Sequence, residues 1–152
     1  MLELHDFITP DCIVHPLQAT DAHGAIVELV EHLAELGRIA DAQRIVDAVW
    51  TREQQRSTGI GDGIAVPHGR CEHVERIVAA VGVATPPIDF KSGDGKPVNL
   101  VVLLVSPSED TALHVQALGA ISRRLSSEEI RRSIRNCTDA AGVYQLLDAS
   151  SN

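Results

Sequence analysis

Three side chains in this sequence have the types and settings to handle an anionic group. The first is His68, inside the run Ser57-Thr58-Gly59-Ile60-Gly61-Asp62-Gly63-Ile64-Ala65-Val66-Pro67-His68-Gly69-Arg70. Glycine lets a backbone turn sharply or approach a ligand closely. Proline stiffens the chain just before the histidine and pushes Val66 toward an extended conformation. The pattern predicts an imidazole held at a strand end among exposed backbone amides, an arrangement suited to an anion. The second is His114, whose neighbours at i+4, i+7 and i+11 on a predicted helix are Leu118, Ile121 and Leu125. It therefore points inward or into a cleft near the helix start. The third is Arg52, on the same side of its helix as Ile45 and Val49 and just upstream of the glycine-rich run. Its planar fork suits bidentate contact with phosphate oxygens.

Each has a plainer reading. His68 can be an ordinary turn residue, His114 a core histidine bonded to a carbonyl, and Arg52 a salt-bridge partner of Glu53 or Asp62. The other histidines, His5, His15, His23, His32 and His73, read as surface residues. Gly59-x-Gly61-x-Gly63 lacks the GxGxxG spacing of a dinucleotide loop and follows a helix rather than a strand. His68-x-x-Cys71-x-His73 has no matching second ligand pair, so no metal is expected. No Walker lysine motif and no GxSxG elbow occurs, and no cofactor is expected.

These side chains need a scaffold, and the composition says what kind. The 152 residues are 44% hydrophobic but only 3% aromatic, and the mean hydropathy is +0.03. An aliphatic core in a single domain over residues 1–152 is expected. Thirteen basic residues against twenty-one acidic ones give a net charge of −8, which argues against nucleic acid or an anionic membrane as a partner. Arg123, Arg124, Arg131, Arg132 and Arg135 form a local exception, read as a solvated helix face. Cys12, Cys71 and Cys137 are irregularly spaced, which fits a reducing compartment. The first residues lack a secretion-signal pattern, and the apolar run from Leu100 to Val105 is too short for a bilayer. A cytoplasmic protein without membrane insertion is expected.

Residues 1–20 read as extended, broken by Pro10 and Pro16. Asp21 can cap a helix whose apolar face is Ile26, Leu29, Val30, Leu33 and Leu36, ending at Gly37. A second helix from about Asp41 to Gln55 turns Ile45, Val46, Val49 and Trp50 inward. Ile64-Ala65-Val66 is a short strand candidate. Ile77–Ala84 and Val98–Val105 are near-continuous apolar runs, read as central strands covered on both faces. Pro86-Pro87 and Ser92–Pro97 mark loops, with a hairpin or short excursion around Ile88-Asp89-Phe90. Ser108 or Asp110 can cap a third helix to about Leu125, a fourth runs from about Ser127 to Arg135, and Asp139 can cap a last one. The order implies an α/β protein with a mixed sheet flanked by helices.

Arg52-Glu53, Ser57-Thr58-Gly59-Ile60-Gly61 and Ile64-Ala65-Val66-Pro67-His68-Gly69 together resemble the signature of the fructose/mannitol-type enzyme IIA domain of the bacterial phosphoenolpyruvate-dependent phosphotransferase system. The likeness continues through Pro86–Phe90, Val98–Val105 and Leu113-His114-Val115-Gln116-Ala117-Leu118 to Leu125, from about Leu4 to Ala149. Within that family it is greatest to the free-standing nitrogen-regulatory branch. Differences fall at Asp62 and in Cys71–Glu75. The resemblance implies the IIA type 2 fold, His68 as phosphoryl acceptor, and His114 and Arg52 as its active-site partners. It implies a phosphohistidine donor on the small phosphocarrier protein, itself charged by enzyme I. The output is then regulatory, through targets such as potassium-transport or sensor-kinase proteins, or a cysteine on a IIB domain in a transport version. A docking module that has the fold but takes no phosphate is the remaining alternative. Ser57, Thr58, Gly61, Gly63 and Gly69 are expected to support the phosphate, through backbone dipoles and a hydroxyl of Ser57 or Thr58.

Overall fold

The two β-branched apolar runs form the centre of the sheet in the computed structural model, which describes residues 2–148. Strands β5 (Val78–Ile88) and β6 (Val98–Pro107) pair antiparallel from Val78↔Val105 to Ile88↔Val98. Val78–Ala84 and Leu100–Ser106 are buried throughout, as expected of strands covered on both faces. β1 (Ile13–Val14) adds parallel to β5. On the other side, β3 (Ile64–Ala65) and β4 (His68–Cys71) both run parallel to β6, at Leu100–Val101 and at Leu104–Pro107. β2 (Gly59–Gly61) closes that edge, antiparallel to β3. The result is a mixed six-stranded sheet.

Val66 and Pro67 separate β3 from β4 along one flank of β6. Proline has no N–H for a ladder, but its carbonyl still accepts from the Leu104 N–H at 3.0 Å. The interruption falls at the residue before His68, so the histidine opens a new strand.

The helices follow the capping signals. α1 (Ala22–Glu35) starts where the Asp21 carboxylate accepts from the Gly24 N–H at 2.7 Å. It buries Ile26, Leu29, Val30 and Leu33 and is followed by Gly37 at φ 75°. α2 (Ala42–Gln55) buries Ile45, Val46 and Val49. Asp110, not Ser108, caps α3 (Thr111–Leu125), and Ser127 caps α4 (Glu128–Arg135). Asp139 accepts from Gly142 N–H at the start of α5 (Ala140–Asp148). Alternation along β4 puts helices on both faces. Gly69 packs against Val49 of α2, while His68 and Arg70 reach His114 and Thr111 of α3.

Two sequence expectations need correction. Residues 1–20 are not simply extended: they hold 3-10 turns at Leu4–Asp6 and Pro10–Cys12 before β1. Local bonds close these turns, including Glu3 N–H to Asp6 at 2.8 Å and Cys12 Sγ–H to the Thr9 carbonyl at 3.0 Å. Burial of Leu4, Phe7, Ile8 and Cys12 fixes them to the core. Pro86-Pro87 is not a loop but a bulged extension of β5, with no register partners between Val83 and Ile88. Freed from the ladder, those prolines have no hydrogen bond to lose.

Candidate active site

His68 is half-buried at the start of β4. Its Nδ1 lies 2.7 Å from the Val66 carbonyl oxygen. A carbonyl can only accept, so Nδ1 carries the proton and Nε2 keeps its lone pair. Burial pushes the His68 pKa below the usual histidine value and the Arg52 charge lowers it further. The Val66 carbonyl and Glu53 oppose that shift without cancelling it. The ring is therefore neutral near pH 7, with a free nucleophilic nitrogen.

His114 sits in the first turn of α3, buried with 8% exposure. Its ring centroid is 5.2 Å from that of His68, tilted by 55°. Its Nδ1 and the hydroxyl of Ser106, on β6, stand 2.5 Å apart. Burial, then repulsion from His68 when that ring is protonated and from the Arg70 charge, lower its pKa to about 4, so this ring is neutral near pH 7 as well.

Arg52 lies in the last turn of α2, where Nη1 donates to the Arg56 carbonyl at 2.8 Å. It pairs with neither Glu53 nor Asp62. Arg52 and His68 line one open cleft of about 650 Å3, together with Arg56, Lys91, Thr58 and Leu118. Three cations and no carboxylate line this cleft among the described residues, so it is locally positive on a molecule of net charge −8. Positive walls concentrate an anionic group there.

The structure sets His68 against His114 and beside Arg52 in the cleft, while His114 itself does not line the cleft and two of the expected glycines lie apart from it. Asp62 and Gly63, at φ 59° and 81°, form the two-residue turn between the paired Gly61 and Ile64. This is the Asp-Gly hairpin of the I′ kind, in which both central residues need positive φ. Neither Gly61 nor Gly63 lines the cleft. Gly69 faces α2, away from His68, and a Cβ there would stand 3.1 Å from Val49 Cγ2. Gly61 and Gly63 thus shape the hairpin, and the missing Cβ of Gly69 makes room for Val49.

Ser57 and Thr58 do line the cleft, but their hydroxyls are already engaged. Ser57 donates to the Phe90 carbonyl and accepts from the Gly59 N–H. Thr58 donates its N–H and its hydroxyl to the Glu53 carboxylate, at 2.9 and 2.5 Å. They hold the loop in shape instead of offering a free hydroxyl.

Sequence reasoning missed two contributors. Glu53 is a carboxylate with 8% exposure on the face of α2 that carries Ile45 and Val49. A charge at i+4 and i+8 from core residues must find partners, which was the available signal. Arg70 follows His68 by two positions, so strand alternation puts both on one face. Its Nη1 donates to Thr111 Oγ1 at 2.7 Å, one turn before His114. The same alternation turns Cys71 away from His68 and divides the metal-like triplet. In the arginine cluster, Arg124 donates to the Leu146 carbonyl, Arg131 to that of Leu125, and Arg132 pairs with Glu128.

Mixed sheet, facing imidazoles and a cationic cleft define an α/β protein with a histidine pair beside a positive surface, and comparison with known proteins is more specific. Residues 6–150 match the family described as phosphoenolpyruvate-dependent sugar phosphotransferase system, EIIA 2, and the chain belongs to it. It is 33% identical to a nitrogen regulatory protein of Bradyrhizobium diazoefficiens, over 96% of this chain and 95% of that one. It is also 33% identical to the 2-O-alpha-mannosyl-D-glycerate-specific EIIABC component of Escherichia coli, where 97% of this chain matches 23% of the relative. The crystal structure of nitrogen regulatory protein IIA-Ntr from Neisseria meningitidis superposes with a TM-score of 0.86 at 27% identity, covering 93% of this chain and 97% of that one. Among the described residues no helix is long and apolar enough to cross a membrane.

Proposed function

We propose that the protein carries a phosphoryl group on Nε2 of His68, received from a phosphohistidine on the phosphocarrier protein. The observation that supports this most is the Val66 carbonyl on Nδ1, which leaves Nε2 as the free nucleophile beside the cationic cleft. In the transfer, the Nε2 lone pair forms the new N–P bond as the donor N–P bond breaks. The released electron pair returns to the donor ring. The proton stays on Nδ1, where the Val66 carbonyl stabilises the positive charge that develops on the ring. No metal or external base is needed to balance the step.

Such a transfer depends mainly on alignment and on neutralising the equatorial oxygens. Arg52 exchanges its bond to the Arg56 carbonyl for those oxygens, and Arg56 and Lys91 add charge from the cleft wall. His114 contributes a hydrogen bond from the flank. Ile60 and Val115 are large apolar side chains exposed at 55% and 61%. Ile60 borders the cleft and Val115 follows His114, so a protein partner seated over His68 would cover both.

The output is read as regulatory, in the cytoplasm, with phosphorylation changing which target docks; potassium-transport and sensor-kinase proteins are candidates. End-to-end similarity to a nitrogen regulatory protein supports this reading. A transport role, with phosphate passed to a IIB cysteine, draws on the multidomain EIIABC relative. The fold is also that of an Escherichia coli enzyme IIAMTL solved in complex with phosphorylated enzyme IIBMTL. The test is labelling by phosphoenolpyruvate, enzyme I and the phosphocarrier. The wild type acquires an acid-labile phosphate and His68→Ala does not; equal labelling of both removes His68 as acceptor. A protein that binds its target yet never labels is a docking module.

A further inference from the structure

The two facing imidazoles have different partners at Nδ1, and the difference assigns a role to Ser106. For His68 the partner is a carbonyl, which fixes the proton on Nδ1. For His114 it is a hydroxyl, which can donate or accept. Ser106 is fully buried on β6, at 0% exposure. Its only side-chain hydrogen bond among the described residues is to His114 Nδ1. A buried hydroxyl that accepted from Nδ1–H would leave its own proton without an acceptor. An unsatisfied buried donor costs the desolvation of that group and is rare in folded proteins. The favourable arrangement has the hydroxyl donating to Nδ1, so that the proton of neutral His114 resides on Nε2.

We propose that Ser106 is a positioning residue that holds His114 as its Nε2–H tautomer, making it a hydrogen-bond donor to a phosphoryl oxygen at His68. The pair is then set in opposite senses: His68 presents a lone pair at Nε2 and His114 presents an N–H. With the other tautomer, His114 would turn a lone pair toward an oxyanion, which is repulsive. Its low pKa reinforces the need, because this ring does not gain a second proton near neutrality. Arg70, bonded to Thr111 at the start of α3, disfavours that second proton further. His114 keeps its proton during the step, so the electron and atom balance of the transfer is unchanged. The inference rests on the acceptor role of His68 for its functional meaning, but the tautomer itself is a property of the unphosphorylated protein.

The test is a long-range 1H–15N correlation spectrum of uniformly 15N-labelled protein, wild type, Ser106→Ala and Ser106→Thr, with phosphoryl-transfer rates on the same samples. Expected are a protonated Nε2 and an unprotonated Nδ1 for His114 in the wild type, and the reverse or a mixture in Ser106→Ala. Transfer in Ser106→Ala is expected to fall about 10- to 100-fold, by analogy with the loss of a partner that orients a metal-bound histidine. Ser106→Thr keeps the hydroxyl and is expected to restore both the tautomer and most of the rate. A wild-type spectrum with the proton on Nδ1 of His114 overturns the proposal without any variant, so a failure of Ser106→Ala to fold does not shelter it. A tautomer that changes while the rate does not overturns the positioning role. Failure of the acceptor assignment is distinguishable, because it shows as absent labelling of the wild type whatever the tautomer.

Discussion

Replacing Arg52 with alanine should nearly abolish transfer while leaving the fold intact. In the unphosphorylated protein the guanidinium makes one exposed hydrogen bond, to the Arg56 carbonyl. Losing such a bond costs about 1 kcal/mol of stability or less. In the transfer step the same group faces the oxygens of the moving phosphoryl. Two unit charges about 4 Å apart interact by about 4 kcal/mol at an effective permittivity near 20. Removal of one donor aimed at developing charge typically slows a reaction by about 100- to 1,000-fold, which agrees with that figure. Arg56 and Lys91 share the cleft and keep the loss from being total. Arg52→Lys keeps the charge but not the bidentate fork, so it should fall between, about tenfold below wild type. The assay is the initial rate of label transfer from the phosphorylated carrier at subsaturating protein, paired with a urea unfolding curve. Arg52→Ala within about threefold of wild type, where little transition-state stabilisation has been lost, would refute the assignment. So would a large rate loss that merely tracked unfolding.

The buried Glu53 carboxylate accepts both polar hydrogens of Thr58, so Glu53→Ala should destabilise the protein by about 2–4 kcal/mol, as for buried donors left unpaired, read from the urea midpoint. Gly63→Ala should also destabilise, by about 1–2 kcal/mol, because φ there is 81° and a Cβ would meet Asn99. Its transfer rate at low temperature should match wild type, whereas a glycine that cradles phosphate would lose rate first. Both active-site histidines have pKa values below that of an unfolded histidine. The unfolded chain therefore binds more protons below about pH 6.5, and stability falls as pH drops from there toward about 4. His114→Gln should lose less stability than wild type between pH 7 and about 5 by thermal unfolding; an equal loss would contradict the buried neutral ring. The transfer rate should be flat above neutrality and fall at a pH below the ordinary histidine value, because His68 stays neutral through that range.

The sequence was most readable where causes are local. Asp21, Asp110, Ser127 and Asp139 cap helices through side chains three residues from the amides they accept from, and the buried stripe of α1 follows its 3.6-residue period. The apolar runs of β5 and β6 identify central strands because both faces must be covered. His114 and Arg52 stand out at the edge of apolar helix faces, and His68 stands out by the glycine- and proline-rich run around it. Harder cases depend on distant pairing. Asp62-Gly63 reads equally as an anion loop or as a hairpin turn until β2 and β3 are known to pair. Gly69 acquires its meaning from Val49 of α2, and β1 becomes a strand only against β5. Glu53 was visible as a charge on an apolar face, but its partner Thr58 becomes apparent only when the chain turns back after α2. Ser106 looks like the end of a strand until α3 lays His114 over it.

The nitrogen that receives the phosphoryl group distinguishes the two histidines and the two faces of each ring. A long-range 1H–15N spectrum of the protein charged through the phosphocarrier reads this directly. The prediction is an N–P bond at Nε2 of His68, with Nδ1 still protonated against the Val66 carbonyl. Phosphate on Nδ1 of His68, or on His114, would contradict it.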